Sequence, residues 1–328
     1  MQSMKNFNGR ITINDTAIAS GNAFLVGELE KLDPLLREPL TSYTYPRDIE
    51  IESGGGWVDF IANHNVDFGV SGGNIDSIND IANTIHHIQA SFSKDLSPTI
   101  PVMEMLSIKW LDLQKNLVTG RSLESVLQSG IMLQWNKILD QACYKGFEQV
   151  GTTGLLNNPL VTPISVVNGA GGTTQWANKT QEEILNDINM AIYDAWSASE
   201  FDMSAIPNHI LIDPENYMAM VKPLAIGNTP LAVSTLKYVL DNNAAQQQGV
   251  NLNIFPSRWC IGAGVAGANR MVAYRNEKRF VNLPVPFELS RIMTQFNTAT
   301  MSYDTPYAGN VGSVRVHYVE PIAYRDGI

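Results

Sequence analysis

Residues 122–149 read SLESVLQSGIMLQWNKILDQACYKGFEQ and form the longest helical pattern in the chain. Ser122 suits a helix N-cap, and Glu124 suits the positive end of the helix dipole in the first turn. The apolar residues recur every three or four positions: Leu123, Leu127, Ile131, Trp135, Ile138 and Ala142. This spacing predicts an amphipathic helix of roughly 40 Å, at about 1.5 Å a residue.

Polar residues limit what so long a helix can be. Gln128, Asp140 and others along it exclude a membrane span, and the pattern is too short for a sustained array of coiled-coil heptads. We therefore predict an elongated scaffold. A turn follows directly, with the sequence GTTGLLNNP over residues 151–159.

Composition indicates a globular protein without an export signal. The chain has 328 residues and 44% hydrophobic content, which suffices for a sizeable core. Its formal charge of -10 argues against a dedicated nucleic-acid binder, because such proteins neutralise phosphates with Lys and Arg. Residues 1–10 lack the apolar core of a signal peptide, and no run of about 18 apolar residues occurs anywhere. We expect no membrane partner.

The remaining patterns predict a mixed α and β protein. Residues 1–44 predict an N-terminal arm with a short helix over 23–36, and residues 43–51 alternate as a strand. The glycine-broken segment that follows predicts a long, flexible hairpin. The later elements are a strand over 98–110, an α/β region over 161–243 with a helix capping box at Thr180-Gln181-Glu182-Glu183, and a β-rich end from Met271 to Tyr318.

One glycine motif has the spacing of a dinucleotide site. Residues 262–267, GAGVAG, match the GxGxxG pattern, in which glycines let a pyrophosphate approach a helix N-terminus. However, residues 269–274 have a strand pattern where such a site needs a helix. We therefore expect residues 262–267 to be a flexible loop.

The other reactive residues lack the spacing that a site requires. His86 and His87 are adjacent and point in different directions, so they cannot form one facial metal pair. His317 has no accompanying serine or cysteine elbow. Cys143 and Cys260 give neither a metal spacing nor a disulfide framework. We expect no catalytic residue, no metal and no cofactor.

The order of the elements resembles that of the Hong Kong 97-like major capsid proteins of tailed bacteriophages. The shared order is an N-terminal arm, an extended glycine-broken loop, a strand, a long helix ending in Gly-Leu-Leu-Asn-Asn-Pro, an α/β region and a β-rich end. Three stretches look like landmarks of one branch of that family: NRMVAY at 269–274, LPVPFE at 283–288 and PIAYRDGI at 321–328. The resemblance covers the chain from about residue 22 to its end.

The resemblance implies an α+β shell subunit with four parts. These are an N-terminal arm (1–44), an extended loop that crosses a neighbouring subunit (45–80), a peripheral domain (81–150 and 280–307) with the spine helix 122–149, and an axial domain (151–279 and 308–328). It implies self-assembly into pentamers and hexamers of an icosahedral shell around a double-stranded DNA genome. The expected location is the virion, after assembly in the host cytoplasm. One face of the spine helix should pack on the β-sheet of its own subunit, and the polar residues Gln134, Lys137, Gln141 and Lys145 should face the capsid interior or a neighbouring chain.

The resemblance also implies partners. Copies of the chain itself come first, and the further ones are portal, scaffold and decoration proteins, with only non-specific contact to packaged DNA. Two other functions remain open. An encapsulin-like nanocompartment shell would share the fold but enclose a protein cargo, and a nucleotide-dependent enzyme would rest on residues 262–267 alone.

Charge predicts how the loop docks. Its acidic residues are Asp48, Glu50, Glu52, Asp59, Asp67, Asp76 and Asp80, against only Arg47, whereas residues 258–291 carry Arg258, Arg270, Arg275, Lys278, Arg279 and Arg291 against Glu277 and Glu288. We predict that the acidic loop docks near this basic region of an adjacent subunit, where opposite potentials favour register. The candidate interface residues are Asp48, Glu50, Glu52, Trp57, Asp59, Asp67, Arg270, Arg275, Lys278 and Arg279.

Lysine usage predicts a shell without covalent cross-links. Some members of the family join subunits through an isopeptide bond from a loop lysine. Here no lysine occurs between Lys31 and Lys94. A loop over residues 45–80 therefore has no amine to supply.

Overall fold

The computed structural model describes residues 5–7, 10–12, 43–71, 87–119, 123–226 and 229–328. The chain divides into two units, residues 1–42 and residues 43–328. In the first unit, β1 (Lys5–Phe7) pairs antiparallel with β2 (Arg10–Thr12). The predicted helix over 23–36, the cap Ser122, and the acidic residues Asp76 and Asp80 lie outside the described residues.

The second unit mixes helices and strands. Its helices are α1 (Tyr45–Asp48), α2 (Trp110–Thr119), α3 (Leu123–Tyr144), α4 (Gln181–Ala198), α5 (Pro214–Val221), α6 (Thr235–Asn242) and α7 (Ala244–Gln247). Its strands are β3 (Glu50–Ser53), β4 (Phe60–Ser71), β5 (His87–Lys109), β6 (Pro163–Ser165), β7 (His209–Ile212), β8 (Pro223–Ile226), β9 (Thr229–Ser234), β10 (Asn253–Pro256), β11 (Arg270–Tyr274), β12 (Val281–Val285), β13 (Phe287–Arg291), β14 (Gln295–Asn297), β15 (Ser302–Gly312), β16 (Arg315–Val316) and β17 (Ile322–Asp326).

The strands of the second unit form three main sheets. The central sheet has the order β10-β7-β11-β17-β6, and the long sheet has the order β13-β15-β5-β4, with β14 on β15. The small sheet has the order β16-β12-β3. Strands β8 and β9 pair separately as a hairpin.

The central sheet is buried on both faces. Helices α4 to α7 cover one face, where Ile188, Ile192 and Ile210 belong to one apolar cluster. The other face carries Val272 and Tyr324 into a second cluster with the end of α3. Strands between two apolar layers have buried side chains on both faces, so their sequences are almost continuously hydrophobic. Strands β7 and β11 have every residue buried.

The long helix exists as predicted, but it ends earlier. Helix α3 has 22 residues, about 33 Å at 1.5 Å a residue, and stops at Tyr144 rather than Gln149. The amides of Leu155 and Leu156 donate to the carbonyls of Cys143 (2.8 Å) and Tyr144 (3.1 Å), so the following turn folds back over the helix end. A Cβ at Gly154 would lie 2.3 Å from the Tyr144 carbonyl carbon, which explains why glycine is needed there.

One face of α3 packs on the long sheet, as predicted. Trp135 is buried, and its ring lies so near β15 that a Cβ at Gly309 would approach it to 2.5 Å. The predicted outward residues Gln134, Gln141 and Lys145 are exposed, and Lys137 is half-buried.

Two other local predictions have different outcomes. The predicted strand over 43–51 is wrong for its first half, because Tyr45–Asp48 form the single helical turn α1, with Pro46 near its start, and β3 begins only at Glu50. The capping box at Thr180 is confirmed, because its side chain accepts from the Glu183 amide and the Glu183 carboxylate accepts from the Thr180 amide.

The predicted hairpin is confirmed, with a different extent. Strand β4 pairs antiparallel with residues 87–98 of β5, and beyond Thr99 the same strand β5 pairs with β15 in the long sheet. We call residues 60–71 and 87–98 the long hairpin. Its second arm lies beyond residue 80, so the predicted loop 45–80 contains only one of the two strands. The predicted boundary between residues 307 and 308 likewise falls inside β15.

Candidate subunit interface

The glycine-rich segment before the long hairpin is fixed to the body of the subunit. Gly54, Gly55 and Gly56 all have positive φ, a conformation that glycine adopts without strain. The Gly56 amide donates to the Pro286 carbonyl at 3.0 Å, and the Trp57 ring lies 4.9 Å from the Phe287 ring. Trp57, a predicted interface residue, therefore contacts its own subunit, although 53% of its surface remains exposed.

The long hairpin has one apolar and one polar face. Residues opposite each other in an antiparallel pair share a face, as Val66 and Phe92 do. We define the apolar face by four exposed residues, Phe60, Val66, Phe92 and Leu96; the cross-strand pair of His64 and Lys94 lies between them on the same face. The opposite face carries Ile61, Asn63, Ser91, Ser93, Asp95 and Ser97.

The side chains of the apolar face are largely accessible to solvent in the isolated subunit. Phe92 has 75% and Phe60 has 60% of its surface accessible. Burial of such a side chain is favourable by about 1.5–3 kcal/mol, and several exposed apolar side chains on one face are typical of an interaction site. The face forms only when residues 60–66 pair with 92–98, although the even spacing of Phe60 and Val66, and of Phe92 and Leu96, is compatible with one face of a strand.

The polar face turns toward the subunit's own body at the base of the hairpin. The Ile61 side chain lies 3.2 Å from the position that a Cβ on Gly312 would occupy. The Asn63 side-chain oxygen accepts a hydrogen bond of 2.8 Å from Arg315 of β16. Because the two faces of a ribbon point in opposite directions, the apolar face points away from these contacts.

The acidic candidates do not form one exposed surface. Asp48, a predicted interface residue, is fully buried in the isolated subunit. Glu52 is half-buried and engages Arg315 and Lys278 of its own subunit. Glu50 and Asp59 are exposed, and Asp67 lies on β4 with its side chain outside the described part of the chain.

Asp48 is instead the centre of a buried polar network. Its carboxylate accepts from Arg47 Nε (2.6 Å) and from the Tyr144 hydroxyl, and His209 Nε2 lies 3.2 Å from it. Burial by itself would raise the pKa of Asp48, but the hydrogen bonds from His209, Arg47 and Tyr144 outweigh it and hold the pKa below its ordinary value. The network joins α1, the end of α3 and the central sheet.

A second buried carboxylate supports the same junction. Asp140 of α3 accepts from the Thr44 amide (2.7 Å) and from Trp259 Nε1 (2.6 Å). Arg258 Nη2 lies 3.2 Å from the same Asp140 carboxylate. The start of the hairpin segment is therefore tied to α3 by two carboxylates rather than left as a free loop.

The basic candidates are also largely used within the subunit. Arg270, a predicted interface residue, is buried in the isolated subunit and forms a two-bond pair with Asp326, at 2.7 and 2.8 Å. Arg275 pairs with Glu277, and Arg279 stacks over the rings of Phe280 and Tyr318. Lys278 lies 3.3 Å from Glu52. The predicted attraction between acidic and basic segments is present here inside one subunit.

The long hairpin contains a lysine that lies outside the predicted loop 45–80. The return strand of the long hairpin carries Lys94, which is exposed and pairs opposite His64. The segment 45–80 has no lysine, but the long hairpin as folded has one. An amine is therefore available on the long hairpin, on the strand that follows the predicted loop.

The remaining motifs have structural roles. Residues 265–267 form a single 3-10 turn, the Val265 amide donates to Asp326 at 2.9 Å, and β11 follows as the predicted strand. Cys143 and Cys260 are buried thiols. Within the described residues no cluster of three or more His, Cys, Asp or Glu side chains could hold a metal ion. No helix among those described is long and apolar enough to cross a bilayer.

Comparison with known proteins identifies the fold. The structure is similar to the capsid of Myoviridae phage XM1, with a TM-score of 0.73 and 17% identity over 92% of this chain and 98% of that chain. It is similar to Microbacterium phage Oxtober96 (TM-score 0.59, 11% identity, 95% and 99% covered). It is also similar to a virus-like particle from Pyrococcus furiosus (TM-score 0.51, 12% identity, 85% and 91% covered). No curated protein sequence matches the chain.

The family model for the major capsid protein matches residues 73–328. This range includes the return strand of the long hairpin, helix α3, and the whole central sheet. The α+β capsid fold predicted from the order of elements is confirmed by the family match and by the structural neighbours. The chain belongs to the major capsid protein family and is a structural protein of a capsid shell.

Proposed function

We propose that the long hairpin of each subunit lays its apolar face on a neighbouring copy, and that this contact builds pentamers and hexamers of an icosahedral shell. The observation that carries the proposal is the exposed row of Phe60, Val66, Phe92 and Leu96 on a two-stranded ribbon whose opposite face meets its own subunit. Isolated two-stranded ribbons are marginal in water, so such a ribbon gains most from a covering surface.

The two main parts of the fold have different roles in this shell. The long sheet with helix α3 forms the peripheral domain, and the central sheet with α4 to α7 forms the axial domain around the capsomer centre. Heterologous contacts, in which two different patches meet, close into rings of five or six and allow one chain to make a whole shell. The shell encloses double-stranded DNA with non-specific contacts only, and portal, scaffold and decoration proteins are further partners.

Electron microscopy of the purified protein tests this function. We expect rings of five or six subunits, or closed icosahedral shells, at concentrations where a monomeric enzyme would show single particles. A protein that stays monomeric under all assembly conditions would contradict the proposal. Shells from infected cells that contain a protein cargo and no DNA would favour a nanocompartment instead.

We further propose that the shell is held without covalent cross-links. The segment 45–80 has no lysine, and the one amine among the described residues of the long hairpin, Lys94, lies between Phe92 and Leu96 on the docking face. We expect assembled particles boiled in SDS to give a single band at 36.1 kDa. A ladder of larger bands that disappears in Lys94→Arg particles would contradict this and would identify Lys94 as the amine donor.

A further inference from the structure

Arg315 lies where the long hairpin meets the small sheet. It belongs to β16 and pairs directly with Asn282 of β12. Its side chain is only 8% exposed, and its guanidinium donates in three directions. Nε donates to Asn282 Oδ1 (3.0 Å), Nη1 donates to Asn63 Oδ1 (2.8 Å), and Nη2 donates to the Glu52 carboxylate. One side chain therefore connects β12, β3 and the hairpin strand β4.

The partners of Arg315 are themselves held in place. Asn282 Nδ2 donates to the Glu52 carboxylate at 2.9 Å, and Lys278 Nζ lies 3.3 Å from the other oxygen of Glu52. Glu52 and Asn282 are thus fixed to each other as well as to the guanidinium. In contrast, Asn63 belongs to a ribbon that leaves the body of the subunit. The hydrogen bond from Arg315 to Asn63 connects this fixed group to the ribbon.

Asn63 lies near the start of β4, so a small change in the direction of the strand at Asn63 becomes a large displacement at its far end. Strand β4 continues for eight residues beyond it, to Ser71, which is about 27 Å at roughly 3.4 Å a residue. A rotation of about 10° at Asn63 would therefore move the end of β4 by roughly 5 Å. Such a displacement is the width of a strand spacing, enough to take an apolar side chain out of register with a docking surface.

We propose that Arg315 is a positioning residue for assembly, which sets the direction of the long hairpin relative to the small sheet and thereby the angle between neighbouring subunits. This rests on the proposed docking of the hairpin on a second copy. A guanidinium suits the role because its planar fork of five donors holds several acceptors in fixed directions. An ammonium in its place can reach Glu52 but cannot satisfy all three acceptors in the same geometry.

The first test measures amide hydrogen exchange in the soluble subunit. Asn63→Ala removes the bond to the hairpin and leaves the contacts of Arg315 with Glu52 and Asn282. We expect exchange in residues 60–71 and 87–98 to become about tenfold faster or more, the ratio that fits the loss of a hydrogen bond to a charged group. Exchange in the central sheet should not change. Unchanged exchange in the hairpin would overturn the inference.

The second test compares assembly products. Arg315→Lys and Asn63→Ala should give a mixture of shell sizes and open sheets where the unchanged protein gives one size. Arg291→Lys is the matched control, because Arg291 pairs with Glu124 at 3.1 Å on the surface, away from the hairpin. Uniform shells of normal size from both Arg315→Lys and Asn63→Ala would overturn the inference.

The two tests separate this inference from the proposed function. If the unchanged protein forms neither rings nor shells, the proposed function fails, and the exchange rates still decide whether Arg315 holds the hairpin. If the unchanged protein forms uniform shells and the variants do so equally, the proposed function stands and the role of Arg315 fails.

Discussion

Truncation of Phe92 and Leu96 to alanine is expected to prevent shell formation while the subunit stays folded. Both side chains are exposed in the isolated subunit, so their loss removes little buried area from its core. In the proposed contact each would be buried, where a large apolar side chain contributes about 1.5–3 kcal/mol. Losing both should raise the concentration needed for assembly by about a hundredfold or more, since about 1.4 kcal/mol is a factor of ten.

The matched control uses the other face of the same strand. Ser91→Ala with Ser93→Ala makes two truncations in adjacent positions that point away from the apolar face. Light scattering against protein concentration should show normal assembly for this pair. Circular dichroism melting should show nearly unchanged midpoints for both pairs. Normal assembly of the Phe92→Ala, Leu96→Ala protein would contradict the proposed docking face.

Replacement of Asp48 with asparagine is expected to cost the subunit about 3–5 kcal/mol, the range for removing one member of a buried charged pair. The carboxylate is fully buried, and its loss leaves Arg47 without its anion and Tyr144 with a weaker acceptor. Because α1, α3 and the central sheet meet here, the loss affects the whole junction. Urea unfolding at neutral pH measures the difference, and Asp59→Asn, at an exposed position, is the matched control.

The Asp48 effect should also depend on pH. The pKa of Asp48 in the folded subunit lies below its ordinary value, so the ionised carboxylate stabilises the fold. That contribution is fully present above the unfolded pKa of about 3.9 and is lost as the pH falls through the folded value. The gap in unfolding free energy between the unchanged protein and Asp48→Asn should therefore shrink below about pH 4. A gap that stays constant down to acid unfolding would show that charge is not the cause.

Local patterns identified much of the fold. The apolar spacing of residues 123–142 identified helix α3, and the capping box at Thr180 identified the start of α4. These succeed because helix periodicity and end capping depend on residues a few positions apart. The boundary at Tyr144 was missed because it depends on Leu155 and Leu156 folding back on the helix end, which is a contact between separate segments.

The candidate interface residues, in contrast, could not be sorted by local sequence patterns. Net charge grouped Asp48 with Glu52 and Arg270 with Lys278, because all four are ionisable residues in two charged segments. Burial separated them, since Asp48 and Arg270 are satisfied by partners inside the subunit. Charge counts carry no information about burial, and a buried charge must find its counterion within the fold.

The sequence by itself determined the class of this protein, because the order of its helices and strands and its short C-terminal motifs are properties of a linear chain. The tertiary structure alone decided which surface is available for assembly. Pairing β4 with residues 87–98 brought Phe60, Val66, Phe92 and Leu96 onto one face, and the contact of Asn63 with Arg315 turned that face away from the body. Strand register and side-chain burial both arise from contacts between distant residues, so only the folded chain defines them.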